Sequence, residues 1–175
     1  MADAVFKIFI NADPQRVWRE LTKTGEAQGA VFNAWLHTTG LAPGQPMQMR
    51  TGSGRHVIVD GEIVEHDPPR CFAHTHRFTQ HDDPPCVVRY ELKPVGSGVE
   101  VTLTVVGLPE GTKTAKSMAS GGHMILNSLK ALAETGTLPW GTRAMYWMFD
   151  HMEFVLPART KTAHWPLARK KGDRP

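Results

Sequence analysis

Residues 112–134, TKTAKSMASGGHMILNSLKALAE, decide the architecture. Ala115, Met118, Ala119, Gly122, Ile125, Leu126, Leu129, Leu132 and Ala133 recur in steps of three and one, the stripe of a helix with one face on a core. Gly136 follows where a left-handed cap belongs. At about 1.5 Å per residue this helix runs roughly 33 Å, enough to cross a whole sheet. The first half of the stripe carries only Ala, Met and Gly, whereas the second half carries Ile and Leu. Small residues over a concave sheet leave a space, to be filled by a ligand or by large sheet residues such as Trp35, Met47, Met49 and Phe72.

The sheet is legible upstream. Residues 5–11 alternate Phe6, Ile8 and Ile10 with Lys7 and Asn11, a first strand. Asp13-Pro14 supplies a cap and a proline at the first helical position, and Val17, Trp18 and Leu21 follow at helical spacing until Gly25. Short apolar alternations over 32–38, 46–50, 56–66, 70–78, 86–94 and 99–106 are separated by the turn clusters LAPGQP, TGSG, HDPPR, QHDDPP and PVGSG. Such short connections imply a curved antiparallel meander of about seven strands, an α+β domain wrapped around the long helix.

The 175-residue chain, 41% hydrophobic and 21% charged, has an ordinary single-domain composition. No stretch approaches the roughly 18 to 20 apolar residues of a membrane span, and the start is unlike a signal sequence, so a cytoplasmic protein is expected. Cys71 and Cys86 have no zinc-finger spacing and read as reduced and buried. Beyond residue 157 stand Arg159, Lys161, Arg169, Lys170, Lys171 and Arg174 against Asp173, or +5, so with a total of +3 the body carries −2. A basic tail on an acidic body is not the footprint of a nucleic-acid reader.

Four stretches, INADPQRVWREL (10–21), GEIVEHDPPRCFAHTH (61–76), VRYELKPVGSGVEVTLTVVG (88–107) and GGHMILNSLKALAETG (121–136), resemble the START-like SRPBCC superfamily. The likeness is to its branch of homologues of the activator of the 90-kDa heat-shock-protein ATPase. The resemblance implies a helix-grip fold over 1–137 with a cavity between the long helix and the sheet. It also implies a small apolar ligand or, by the literal family name, a chaperone partner. Such proteins commonly carry tryptophan where this chain has His76 and His123, and an aromatic where it has His74. Residues 138–175 extend past the family's usual end.

Within RCFAHTHRF, Phe72, His74, His76 and Phe78 share one strand face, either the cavity wall or the solvent side of a strand near the edge. The resemblance favours the cavity. The expected lining is therefore Trp35, Met47, Met49, Phe72, His74 and His76, with Tyr90, Met118, Gly122 and His123. A cupin-type metal site would need a nearby carboxylate on the strand, but Asp82 and Asp83 fall in the following turn, and no metal or other cofactor is expected. No nucleophile triad or phosphate loop is present, so binding is favoured over catalysis; a cyclase- or hydrolase-like activity in the cavity is the enzymatic alternative. In the second helical pattern, 142–156, Met145, Met148, Phe149 and Met152 form a stripe read as a lid over the groove, a homodimer contact or a membrane-surface face. Residues 138–157 form this appended helix, and 158–175 are expected to be a flexible basic tail.

Overall fold

The computed structural model describes residues 2–168. The alternation of Phe6, Ile8 and Ile10 builds β1 (Ala2–Ile10). Asp13 then accepts from the Gln15 amide at 2.7 Å and Pro14 opens α1 (Pro14–Thr22). The strands β2 (Ala27–Gln28), β3 (Ala34–Thr38), β4 (Pro46–Arg50), β5 (Val57–Asp67), β6 (Cys71–Phe78), β7 (Cys86–Val95) and β8 (Gly98–Leu108) follow. All eight pair antiparallel in one sheet of order β1-β8-β7-β6-β5-β4-β3-β2, a meander in which the first strand joins the last. The eighth strand, missed in the sequence, is β2, whose two residues are too short to show alternation. Likewise β3 begins at Ala34 rather than 32, because Phe32 and Asn33 adopt left-handed φ values of 52° and 60°.

The long helix is α2 (Lys113–Thr135). Thr112 accepts from the Ala115 amide at 3.1 Å, and Gly136, at φ 77°, donates its N–H to the Leu132 carbonyl at 2.9 Å. Met118, Gly122, Ile125, Leu126, Leu129 and Ala133 are buried against the sheet, whose Val99, Val101, Leu103 and Val105 present the facing core. Fully burying each such aliphatic side chain contributes roughly 1.5–3 kcal/mol. Ala119 is solvent-exposed instead, and Gly121 and Ser128 take buried positions beside the stripe.

Past α2 comes α3 (Trp140–His151). Its buried contact is Tyr146, whose hydroxyl donates to the Gly29 carbonyl at 3.1 Å and whose ring lies 6.4 Å from that of Phe32. Tyrosine wins the buried side because it brings both an apolar ring and a donor for that carbonyl. Of the expected stripe, Met145 is half-buried while Met148, Phe149 and Met152 are exposed, so it does not close the groove as a lid.

Residues 158–168 correct the expectation of a flexible tail. The Thr162 amide donates to the Arg55 carbonyl at 2.9 Å, the Gln48 amide group to the Trp165 carbonyl at 3.0 Å, and the Trp165 indole to the Arg159 carbonyl at 2.7 Å. Arg159 pairs with Asp82, and the Arg77 guanidinium sits 5.7 Å above the Trp165 ring. The segment is a strap across the outer face of β4 to β6, burying Gln48, Thr160 and Trp165. Residues 169–175 lie outside the described residues.

A cavity between the long helix and the sheet

Local register positions the two histidines. In β6, Phe72, His74 and His76 project to the α2 side, and β7 places Val88 and Tyr90 beside them through the pairs His74–Val88 and Phe72–Tyr90. On the other flank Gly61 of β5 lets β6 come close: a Cβ there would stand 2.0 Å from the Thr75 carbonyl oxygen. That carbonyl accepts a hydrogen bond from His74 Nδ1 at 2.9 Å. The packing that holds β5 on β6 therefore also fixes the ring of His74.

A cavity of about 20 Å³ lies between α2 and the sheet, lined by Leu21 of α1, Gln28 of β2 and Val31. Met49, Phe72, His74, His76, Val88 and Tyr90 line its sheet side, and Met118 and Ile125 its helix side. One water occupies on the order of 10–15 Å³ by this measure, so the volume admits little more. His74 and His76 are 3% and 8% exposed, with ring centroids 5.7 Å apart. Burial pushes the His76 pKa down to about 3, with repulsion from His74 as the lesser cause, and burial lowers His74 too, against its bond to Thr75. Both imidazoles are neutral at pH 7.

The polar atoms here are unevenly satisfied. Both ring nitrogens of His76 and Oε1 of Gln28 are buried without a hydrogen-bond partner in the protein. Gln28 Nε2, by contrast, donates to the Leu21 and Lys23 carbonyls at 3.2 and 3.0 Å. A buried unmet donor or acceptor costs about 1–3 kcal/mol. The cavity is thus an apolar chamber with a polar corner.

Six of the ten expected lining residues meet here: Met49, Phe72, His74, His76, Tyr90 and Met118. Met47 is fully buried on the same side of β4 but outside the lining. Trp35 alternates with the buried Leu36 and so faces the other side of β3. Gly122 does not open the chamber, because a Cβ there would meet the Phe6 ring at 2.5 Å; Phe6 of β1 fills the space over the small residues. His123 points to solvent and packs edge-on to Phe6, ring centroids 4.9 Å apart, so it cannot join His74 and His76 around one ion. Among the described residues no three His, Cys, Asp or Glu side chains stand together as metal ligands. Sequence reasoning missed Gln28, which sits in a strand too short for pattern, and Leu21, Val31, Val88 and Ile125, apolar positions indistinguishable from core.

A curled antiparallel sheet gripping one long helix, with a chamber between them, defines a helix-grip protein of the cavity-bearing kind. Residues 2–134 match the family of Activator of Hsp90 ATPase homolog 1-like proteins, and the chain belongs to it. A search of curated proteins finds no match. Among solved structures, the Aha1 dimer from Colwellia psychrerythraea is 19% identical with TM-score 0.61, covering 78% of this chain and 99% of that one. CalU16 from Micromonospora echinospora is 16% identical with TM-score 0.61 over 88% and 87% of the two chains. A protein from Mesorhizobium loti is 20% identical with TM-score 0.62 over 75% and 96%. These likenesses establish the fold. No helix is long and apolar enough to cross a membrane among the described residues.

Proposed function

We propose that this protein binds a small, largely apolar molecule in the chamber between α2 and the sheet and performs no chemistry on it. The observation that carries the reading is the polar corner. His76 and Gln28 hold buried, unpartnered polar atoms on the wall of an apolar cavity, an arrangement that a ligand's single polar group would satisfy. A chamber of about 20 Å³ must widen to admit an organic molecule. Met49 and Met118, unbranched and adaptable, are the side chains whose rotation widens it. The free thiols Cys71 and Cys86 suit a reducing cytoplasm. The test is native mass spectrometry of the protein as isolated, against its denatured mass. A mass excess that vanishes on denaturation, and that His76→Trp abolishes by filling the chamber, supports binding; a bare chain mass, unchanged after incubation with small aromatic molecules, refutes it.

A second reading concerns α3, whose outward side carries Trp140, Trp147 and Met148, all exposed. We infer that this face meets a second copy of the chain. Arg143 and Asp150, both exposed, lie two turns apart along one edge of it. In an antiparallel pairing about a twofold axis near Trp147, each Arg143 comes opposite Asp150 of the other copy, so the face complements itself in charge as well as in apolar surface. The Colwellia relative is described as a dimer. Light scattering tests this: the parent chain should run as a dimer and Trp147→Asp as a monomer. A monomeric parent would leave the face to the chaperone partner that the family name suggests, and would refute self-association.

A further inference from the structure

We propose that the corner formed by Gln28, His74 and His76 selects neutral hydroxyl-bearing ligands, phenols or alcohols, over the corresponding carboxylates and hydrocarbons. This rests on the ligand-binding reading above and specifies its ligand class. Which atoms of the corner can donate decides the preference.

Gln28 Nε2 faces two carbonyl oxygens, those of Leu21 and Lys23, at 3.2 and 3.0 Å. Turning the amide over would set Oε1 against both carbonyls, so its orientation is fixed and Oε1 remains as an acceptor. His74 Nδ1 lies 2.9 Å from the Thr75 carbonyl, which can only accept. The His74 proton therefore sits on Nδ1, and Nε2 carries a lone pair. His76 in its neutral form brings one N–H and one lone pair, both unpartnered. The corner thus offers two fixed acceptors and one imidazole that can be turned either way.

A hydroxyl matches this set, because it donates once, to Gln28 or His74, and accepts once, from His76. A carboxylate brings only acceptors, which meet the lone pairs of Gln28 and His74. Nor is there a cation to hold it: no Lys or Arg lines the chamber, the other lining side chains are apolar apart from Tyr90, and burial keeps both imidazoles uncharged at neutral pH. Stripping the charge of a carboxylate of its water at such a site costs far more than the two donors on the wall, the His76 N–H and the Tyr90 O–H, return. A hydrocarbon of the same shape enters without penalty of its own but leaves the corner unmet.

Three probes that share a fluorophenyl ring separate the alternatives: 4-fluorophenol, fluorobenzene and 4-fluorobenzoate, titrated into the full chain at pH 7.5 and followed by fluorine NMR. The expected result is binding of the phenol about tenfold tighter than fluorobenzene, the worth of one to two hydrogen bonds, with the benzoate weaker still. Gln28→Met and, separately, His76→Phe should each shrink the phenol's preference several-fold while fluorobenzene binding persists. His76→Phe serves as the second variant because Gln28 also ties down two carbonyls and its replacement can unsettle the fold. Equal binding of the phenol and fluorobenzene, or preference for the benzoate, would overturn this inference while leaving the chamber a binding site. No binding of any probe would overturn both.

Discussion

The buried imidazole of His76 makes folding stability depend on acid in a way that can be worked out and isolated. The unfolded chain titrates His76 near 6.5, whereas in the folded protein burial pushes it down to about 3. The unfolded state therefore binds more protons through that interval, and stability present above pH 6.5 is lost as pH falls toward 3. Each pH unit within the window costs 1.36 kcal/mol, so about 1.5 units between 6.5 and 5.0 remove about 2 kcal/mol. Nothing in the chamber offsets this: its lining contains no carboxylate, and the neighbouring His74, itself depressed by burial, adds loss in the same direction. Glu65, Asp82, Asp83 and Glu134, held low by their hydrogen-bond partners, act mainly at lower pH. His37, also lowered, contributes equally to parent and variant. The assay is urea unfolding followed by tryptophan fluorescence at pH 7.5 and 5.0, for the parent and for His76→Phe. Between the two pH values the parent should lose about 2 kcal/mol more than the variant. Equal losses would mean that His76 is hydrated or charge-paired in the folded protein, and the polar corner would fall with it.

Three further outcomes follow from the packing. Gly61→Ala should destabilise by at least about 3 kcal/mol in denaturant melts, because its Cβ would stand 2.0 Å from the backbone oxygen of Thr75; a loss under 1 kcal/mol would refute that close approach. Gly122→Ala gains helix propensity of about 1 kcal/mol yet drives a methyl into the Phe6 ring at 2.5 Å, so a net loss of about 1–2 kcal/mol is expected, and a rise in melting temperature would contradict the packing. Cys71 and Cys86, with thiol pKa values pushed by burial up to about 12 and about 11, should resist a disulfide reagent at pH 8 in the folded protein and react promptly in urea; fast native labelling would show the strands to be open.

How much of this was legible depended on whether a residue belonged to a pattern. The stripe in α2 and the alternations of the long strands give periodic signals, and these sufficed for the antiparallel meander, the gripping helix and the shared face of Phe72, His74 and His76. What escaped was set by neighbours distant in sequence. Phe6 fills the space over Gly122 from a strand more than a hundred residues away, so small residues in the helix did not translate into free volume. Gln28 belongs to a strand of two residues. The docking of residues 158–168 rests on Gln48, Arg55, Arg77 and Asp82, partners that no local pattern in a basic tail reveals. In α3 the stripe of Met145, Met148, Phe149 and Met152 does not close the groove as a lid: Tyr146 found the Gly29 carbonyl, a partner distant in sequence, and Met148, Phe149 and Met152 are exposed.

The corner and the chamber meet at His76. A tryptophan at position 76 would fill the wall with apolar surface. Histidine there returns some of that volume and supplies two nitrogens with no partner in the protein. Buried polar groups are kept unmet at a cost, and a site of pure packing has no use for them. Gln28 compounds the cost from a different element, with its amide held so that the oxygen is the unpartnered atom. Two independent segments thus each bear a desolvation penalty at one small cavity. A polar visitor accounts for both, since its hydrogen bonds would recover the penalties that the folded chain bears alone.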